Sequence, residues 1–172
     1  MSTTAGAPTP GAPERAAVRS MFDRIAPRYD LLNRVLSFGT DVRWRRKAVD
    51  LLDLPPGARV LDLCTGTADL LIEALGRDAR HRGLGVDLSH EMLVRGARKL
   101  ERGGFASRAA LCGGDGERLP VRGGLFDGAL VAFGAGLEDD VVSRIAPAEE
   151  HRGGTRPHRV LHHVRRDAHR AR

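Results

Sequence analysis

A chain of 172 residues, 41 % hydrophobic and 29 % charged, is long enough for one domain with a buried core and is ordinary for a globular protein. No run approaches the ~18 apolar residues of a membrane span, and the start lacks the apolar core of a signal peptide, so no transmembrane segment and a cytoplasmic location are expected. The net charge of +6 arises in residues 151–172, with seven Arg and one Asp, and residues 1–150 balance 21 Lys and Arg against 21 Asp and Glu, so no specific nucleic-acid face is expected.

In chain order, residues 1–13, Met1 followed only by Ser, Thr, Ala, Gly and Pro, read as a disordered leader. Residues 14–54 have a helical, amphipathic texture in three pieces. Val18, Phe22 and Ile25 precede Pro27, Leu31, Leu32, Val35 and Leu36 follow it, and Val42, Ala48, Val49 and Leu52 form the third. Pro55-Pro56-Gly57 is a stop. Strands and helices then alternate. Arg59–Cys64 reads as a strand, and Leu70, Leu71, Ala74 and Leu75 as a helix face. Gly83–Asp87 is a second strand, and Ser89 is placed to cap a helix carrying Leu93, Ala97 and Leu100. Ala109–Cys112 and Phe126–Phe133 complete four strands. The alternation predicts an α/β fold with a parallel sheet covered by helices.

Composition changes again after Gly134. Residues 135–172 contain no Phe, Tyr, Trp or Lys, and the last 22 residues hold five of the seven His. Val160, Leu161, Val164 and Ala168 are spaced for one side of a short helix. Cys64 and Cys112 are too far apart for a CxxC pair or a zinc knuckle, so neither a disulfide framework nor a metal site is expected.

The chemistry concentrates around Asp62-Leu63-Cys64-Thr65-Gly66-Thr67-Ala68-Asp69 and Asp87. Ligands of open α/β sheets bind beyond the carboxyl ends of the strands, where Gly66 lets backbone approach closely. Asp87 follows Gly66 by about the ~20 residues expected of an acid that binds a ribose diol. A dinucleotide needs G-x-G-x-x-G for its pyrophosphate, whereas this loop has Gly66 alone and Asp69 near the helix start. S-adenosylmethionine carries no phosphate and has cationic sulfonium and ammonium groups, so acids around the loop suit it better. Asp115-Gly116, after the third strand, adds an acid placed to accept from an adenine amino group. Asp62, Asp87 and Asp115 thus follow three successive strands and are expected to converge on one cationic nucleoside. The alternatives are that Gly66 and Asp87 mark a turn without a ligand, and that Asp115 is a turn residue.

Residues 14–134 resemble the ubiquinone/menaquinone biosynthesis C-methyltransferases, demethylmenaquinone methyltransferases above all. Phe22-Asp23-Arg24-Ile25-Ala26-Pro27-Arg28-Tyr29-Asp30-Leu31-Leu32-Asn33, Leu36-Ser37-Phe38-Gly39 and Arg43-Trp44-Arg45 carry the resemblance, which generic methyltransferases of that fold do not share. The family more often has Gly where this chain has Ala68, Ala at Gly116 and Ser at Ala132. The resemblance implies a class I methyltransferase fold, Rossmann-like, with N-terminal helices. It implies S-adenosylmethionine as cofactor, contacted by Thr67, Asp87, Asp115, Gly116 and Ala132. It also implies a lid of the helices carrying Tyr29, Asp30 and Asn33, and a prenylated quinol acceptor met at the inner membrane face. Asp30 is the candidate general base, with a surface carboxylate as the alternative; Tyr29 could equally be packing.

The family pattern lapses after Gly134, where Ala135-Gly136-Leu137 replaces Ile-Arg-Asn. Arg159-Val160-Leu161 echoes a later family motif and is read as coincidence. The expectation is therefore an incomplete sheet of strands 1–4 only: a partial cofactor domain over 55–134 and a tail over 135–172 that is out of frame or disordered. Its exposed fourth strand would leave the chain marginally stable and impaired in methyl transfer. The competing functions are an inactive nucleoside-binding remnant, and an RNA- or anionic-membrane-binding protein acting through the basic tail.

Overall fold

In the computed structural model the described residues are 15–36, 40–115, 125–132 and 159–163. Two helices lead, α1 (Arg15–Leu36) and α2 (Thr40–Leu51). Then come β1 (Arg59–Leu63), α3 (Asp69–Leu75), β2 (Arg82–Asp87), α4 (His90–Arg102), β3 (Ala109–Gly113), β4 (Gly128–Ala132) and β5 (Arg159–His163). The strands form one sheet in the order β3-β2-β1-β4-β5. Every pairing is parallel, with Leu61 opposite Leu84 on one side and Ala129 on the other. The order reverses direction at β1, the kind of switch point at which open α/β sheets bind ligands.

Two expectations are corrected. Pro27 does not divide the first helix; α1 runs through it for 22 residues. A proline ring removes one backbone donor and crowds the preceding turn, yet contacts on both sides hold the helix in line. Ala26 is buried, and Phe22 and Tyr29, two turns apart across the proline, meet edge-on with ring centroids 6.4 Å apart. The second correction concerns the sheet, which among the described residues has five strands and not four. Arg159–His163 lies parallel to β4, with Leu130 opposite Leu161, where the spacing pointed to a helix and the motif echo was read as coincidence. The edge of β4 offers backbone N–H and C=O groups that a helix cannot satisfy and a strand can; β4 is therefore not an exposed edge.

The core explains the strand pattern. β1 is buried on both faces, as central parallel strands are. Its Val60 packs with Leu70, Ala74 and Leu130 and with Ala48, Val49 and Leu52 at the end of α2. Leu61 and Leu63 pack on the opposite face with Val86, Ala129 and Val131. A third cluster joins Ala68, Leu71 and Leu75 to Leu100, seating α3 and α4 together. Ser89 caps α4 as its sequence position suggests, accepting from the Met92 N–H at 3.2 Å.

Leu71 is fully buried, and a Cβ added at Gly83 would come within 2.5 Å of its Cδ1. Helix and strand meet there in direct contact. Replacing Leu71 by alanine is expected to cost about 3 kcal/mol through lost burial and a cavity. The measurement is the urea midpoint at unchanged slope; a loss below about 1 kcal/mol would show that α3 repacks freely.

Candidate functional site

The turn from β1 into α3 has an unusual backbone. Cys64, Gly66 and Ala68 all have positive φ, at 54°, 54° and 64°. Alternate residues in the left-handed region fold the chain sharply, at a cost that glycine escapes and Cys64 and Ala68 bear. The left-handed Ala68 accounts for glycine being common there in the resembled family. Hydrogen bonds hold the turn in shape. The Thr65 N–H donates to the Val86 carbonyl at 3.0 Å, and the Thr65 hydroxyl donates to Asp62 at 2.6 Å. Gly85 admits this arrangement, because a Cβ there would fall 2.9 Å from the Thr65 side chain.

The three strand-end acids do different jobs. Asp62 is only 1 % exposed and faces into the turn. Burial, partly offset by the Thr65 hydroxyl and the Leu71 N–H, pushes its carboxyl up to about 7. It braces the loop from inside, where the sequence reading had it facing a ligand. Asp87 is half-buried at the end of β2, accepting from Gly66 N–H and Ser89 N–H, each at 2.8 Å. Burial foremost raises its carboxyl above the ordinary range, against those N–H groups, and the charge of Asp23 adds to the rise. Asp115 is half-buried just past β3, whose end is tied to β2 by a Gly114 N–H to Asp87 carbonyl bond of 3.0 Å.

Cys64 stands in the turn just past β1, mostly shielded from solvent. Its thiol is pushed up to about 12, by burial and then by the charges of Asp87, Asp62 and Asp115. Because the thiolate is the reactive form, maleimide at pH 8 is expected to modify Cys64 on the order of a hundredfold more slowly than a free thiol. Mass spectrometry of the labelled chain measures it. Rapid labelling of Cys64 would show that the thiol is not shielded as described.

Space remains beside these groups. Nothing lies within 4 Å of where a Cβ at Gly66 would sit. An open cleft of about 670 Å³ runs between α1 and the turn after β2, lined by Ala16, Arg19, Ser20, Asp23, Arg24 and Leu88. Ser89 donates to Asp23 at 2.5 Å, tying α1 to the start of α4.

Thr67 is 98 % buried, and its side chain is bonded to α1 and α4. Its hydroxyl donates to Asp30 at 2.7 Å and accepts from Lys99 at 2.8 Å. Lys99 also pairs with Asp30 at 2.8 Å and Asp69 at 2.7 Å. Arg45 of α2 bridges Asp69 at 3.0 Å and Asp41 at 2.9 Å. The sequence reading missed this network. Its signal was a lysine beside Gly96 and Leu100, on the apolar stripe of α4. The pairing also changes the argument from charge: two cations neutralise Asp69, so preference for a cationic ligand must come from Asp87 and Asp115. Tyr29 is half-buried against Phe22. Asn33 lies in α1 and Ala132 ends β4, with their side chains outside the description, and Gly116 lies outside the described residues. Among the described residues no three His, Cys, Asp or Glu gather to hold a metal ion, and no helix is long and apolar enough to cross a membrane.

Comparisons with known proteins agree with this geometry. The chain is 44 % identical over 118 residues to the ubiquinone/menaquinone biosynthesis C-methyltransferase UbiE of Geotalea uraniireducens, covering 68 % of this chain and 50 % of that one. It is 46 % identical over 114 residues to the demethylmenaquinone methyltransferase of Thermus thermophilus, covering 66 % and 51 %. The chain thus spans about half the length of the curated relatives it matches. Among solved structures, a SAM-dependent methyltransferase from Geobacter sulfurreducens in complex with S-adenosyl-L-homocysteine superposes with a TM-score of 0.52 at 22 % identity, over 60 % of this chain and 43 % of that one. The [4+2]-cyclase SpnF gives 0.66 at 22 % identity, over 79 % and 57 %. These likenesses establish the class I methyltransferase fold, and the cyclase shows that the fold alone does not name a reaction. The ubiE/COQ5 methyltransferase family model matches residues 11–144, and with the relatives' identity this establishes that the chain belongs to that family.

Proposed function

We propose that this chain carries the cofactor half of an S-adenosylmethionine-dependent C-methyltransferase that methylates a reduced isoprenoid quinone precursor, demethylmenaquinol in the first instance. The observation that supports it best is Asp87, a half-buried carboxylate fixed by two backbone N–H groups beside a left-handed Gly66 with open space next to it. A diol needs acceptors of that kind, and a cation favours them.

The residues present suit the cofactor. Asp87 receives the ribose hydroxyls, Asp115 with Gly116 receives the adenine edge, and the main chain of 64–68, held from within by Asp62, accepts close approach. Ala132, at the end of β4, borders the same end of the sheet. The cofactor, when bound, supplies an electrophilic methyl group. The chain's own contribution is alignment of the acceptor and exclusion of water under α1 and α2, with Tyr29 and Asn33 on the acceptor side. Lys99 and the Thr67 hydroxyl both hold Oδ1 of Asp30, so a base role for Asp30 would fall to its Oδ2. The acceptor's isoprenoid tail suits encounter at the inner membrane surface.

A second reading is cofactor binding without turnover. Isothermal titration with S-adenosylmethionine beside a methylation assay on a demethylmenaquinol analogue separates the two. Binding with turnover supports the first and binding alone the second. Absence of binding overturns both.

A further inference from the structure

We propose that Lys99 is a positioning residue, a clasp that holds the two leading helices against the cofactor loop so that lid closure and loop geometry change together. The proposal rests on the reading of 64–68 as the cofactor loop and of α1 and α2 as the lid.

Three chain segments meet at one ammonium. Asp30 comes from α1, Thr67 from the turn after β1 and Asp69 from the start of α3, and all three lie 2.7–2.8 Å from Lys99 Nζ. Arg45 continues the arrangement from α2 through the other oxygen of Asp69. Lys99 is itself three-quarters covered, so the ammonium is screened less than a surface charge. The backbone brings it there: at Gly96, one turn earlier on α4, a Cβ would sit 3.2 Å from Ala68 Cβ and 3.3 Å from the Thr67 carbonyl carbon. A larger residue at 96 would push α4, and Lys99 with it, away from the loop.

The charges make the clasp one-directional. With Lys99 in place, two carboxylates from different segments share one cation. Without it, Asp30 and Asp69 face each other around a single hydroxyl. Arg45 still serves Asp69, but among the described residues no other cation pairs with Asp30. Like charges at that range repel, and α1 is the movable partner because Asp69 belongs to the packed helix α3. Thr67 loses its donor at the same time, so the loop loosens where the lid lifts.

The test uses the full chain, first without ligand. Hydrogen exchange of α1 is expected to quicken at least tenfold in Lys99→Met, while β1 and β4 keep wild-type protection; Lys99→Arg restores α1 to within threefold. Asp30→Asn in the Lys99→Met background removes most of the effect, because the unpaired charge is gone. In the methylation assay Lys99→Met is expected to raise KM for the quinol analogue about tenfold with kcat within threefold, a split that general destabilisation would not give. Unchanged α1 exchange in Lys99→Met, equal loosening of β1 and β4, or failure of arginine to restore would each overturn the clasp. If the wild type binds no S-adenosylmethionine, the functional reading fails on its own, and the exchange experiment still decides the clasp.

Discussion

Replacing Asp87 by alanine is expected to weaken S-adenosylmethionine binding about a hundredfold, the largest single effect at the site. In the proposed site the carboxylate supplies charge-assisted acceptors for the ribose hydroxyls, and losing such a pair costs about 3 kcal/mol, which is roughly two decades in affinity. It also holds Gly66 and Ser89 by their N–H groups, so the alanine variant frees the loop as well as emptying the diol site. Asp87→Asn separates these contributions. It keeps the shape and one acceptor oxygen but turns an amide donor toward one of two N–H donors, so an intermediate loss is expected. Titration calorimetry measures both, with the thermal midpoint checking that the fold survives. Affinity within threefold of wild type in Asp87→Ala would remove the assignment of the ribose site.

The second large effect is a pH dependence set by Asp62. Its carboxyl titrates near 7 in the folded chain and near ~3.9 when unfolded. Between those values the folded state binds the extra proton, so this group's share of stability is full below about pH 4 and is lost as pH rises toward 7. The displacement of about three pH units corresponds to at most about 4 kcal/mol, with the loop's hydrogen bonds reducing what is seen. Asp87, also raised by burial, acts in the same direction. Asp62→Asn keeps the acceptor for Thr65 and removes the ionisation. Relative to wild type it is expected to be clearly more stable at pH 8 and close to it at pH 4.5, by denaturant titration at both pH values. An asparagine variant equally destabilised at both would show that ionisation of Asp62 does not set the pH dependence.

Local pattern carried much of the architecture. Alternating apolar runs marked the first four strands to within two residues at most described ends, and Ser89 announced α4, because strand burial and helix capping are written in neighbouring side chains. The resemblance over 14–134 named the family, which the match over residues 11–144 establishes. The place of Asp87 at the end of the second strand was legible too, since the distance from a glycine turn to the next strand end is a sequence distance; its hydrogen bond with Gly66 was not.

Only the tertiary structure decided the rest, and the reason is the same in each case: the deciding partner is remote in the chain. Pro27 sits inside α1 because packing on both flanks outweighs one missing backbone bond. Arg159–His163 becomes a strand because β4 presents an edge to it. Asp62 turns inward while Asp87 does not, a choice made by Thr65 and by burial beneath α3. Lys99 and Arg45 look like ordinary helix cations in the sequence, and only folding places them on Asp30, Asp69 and Asp41, where opposite charges meet in a half-buried junction between α1, α2, α4 and the turn after β1.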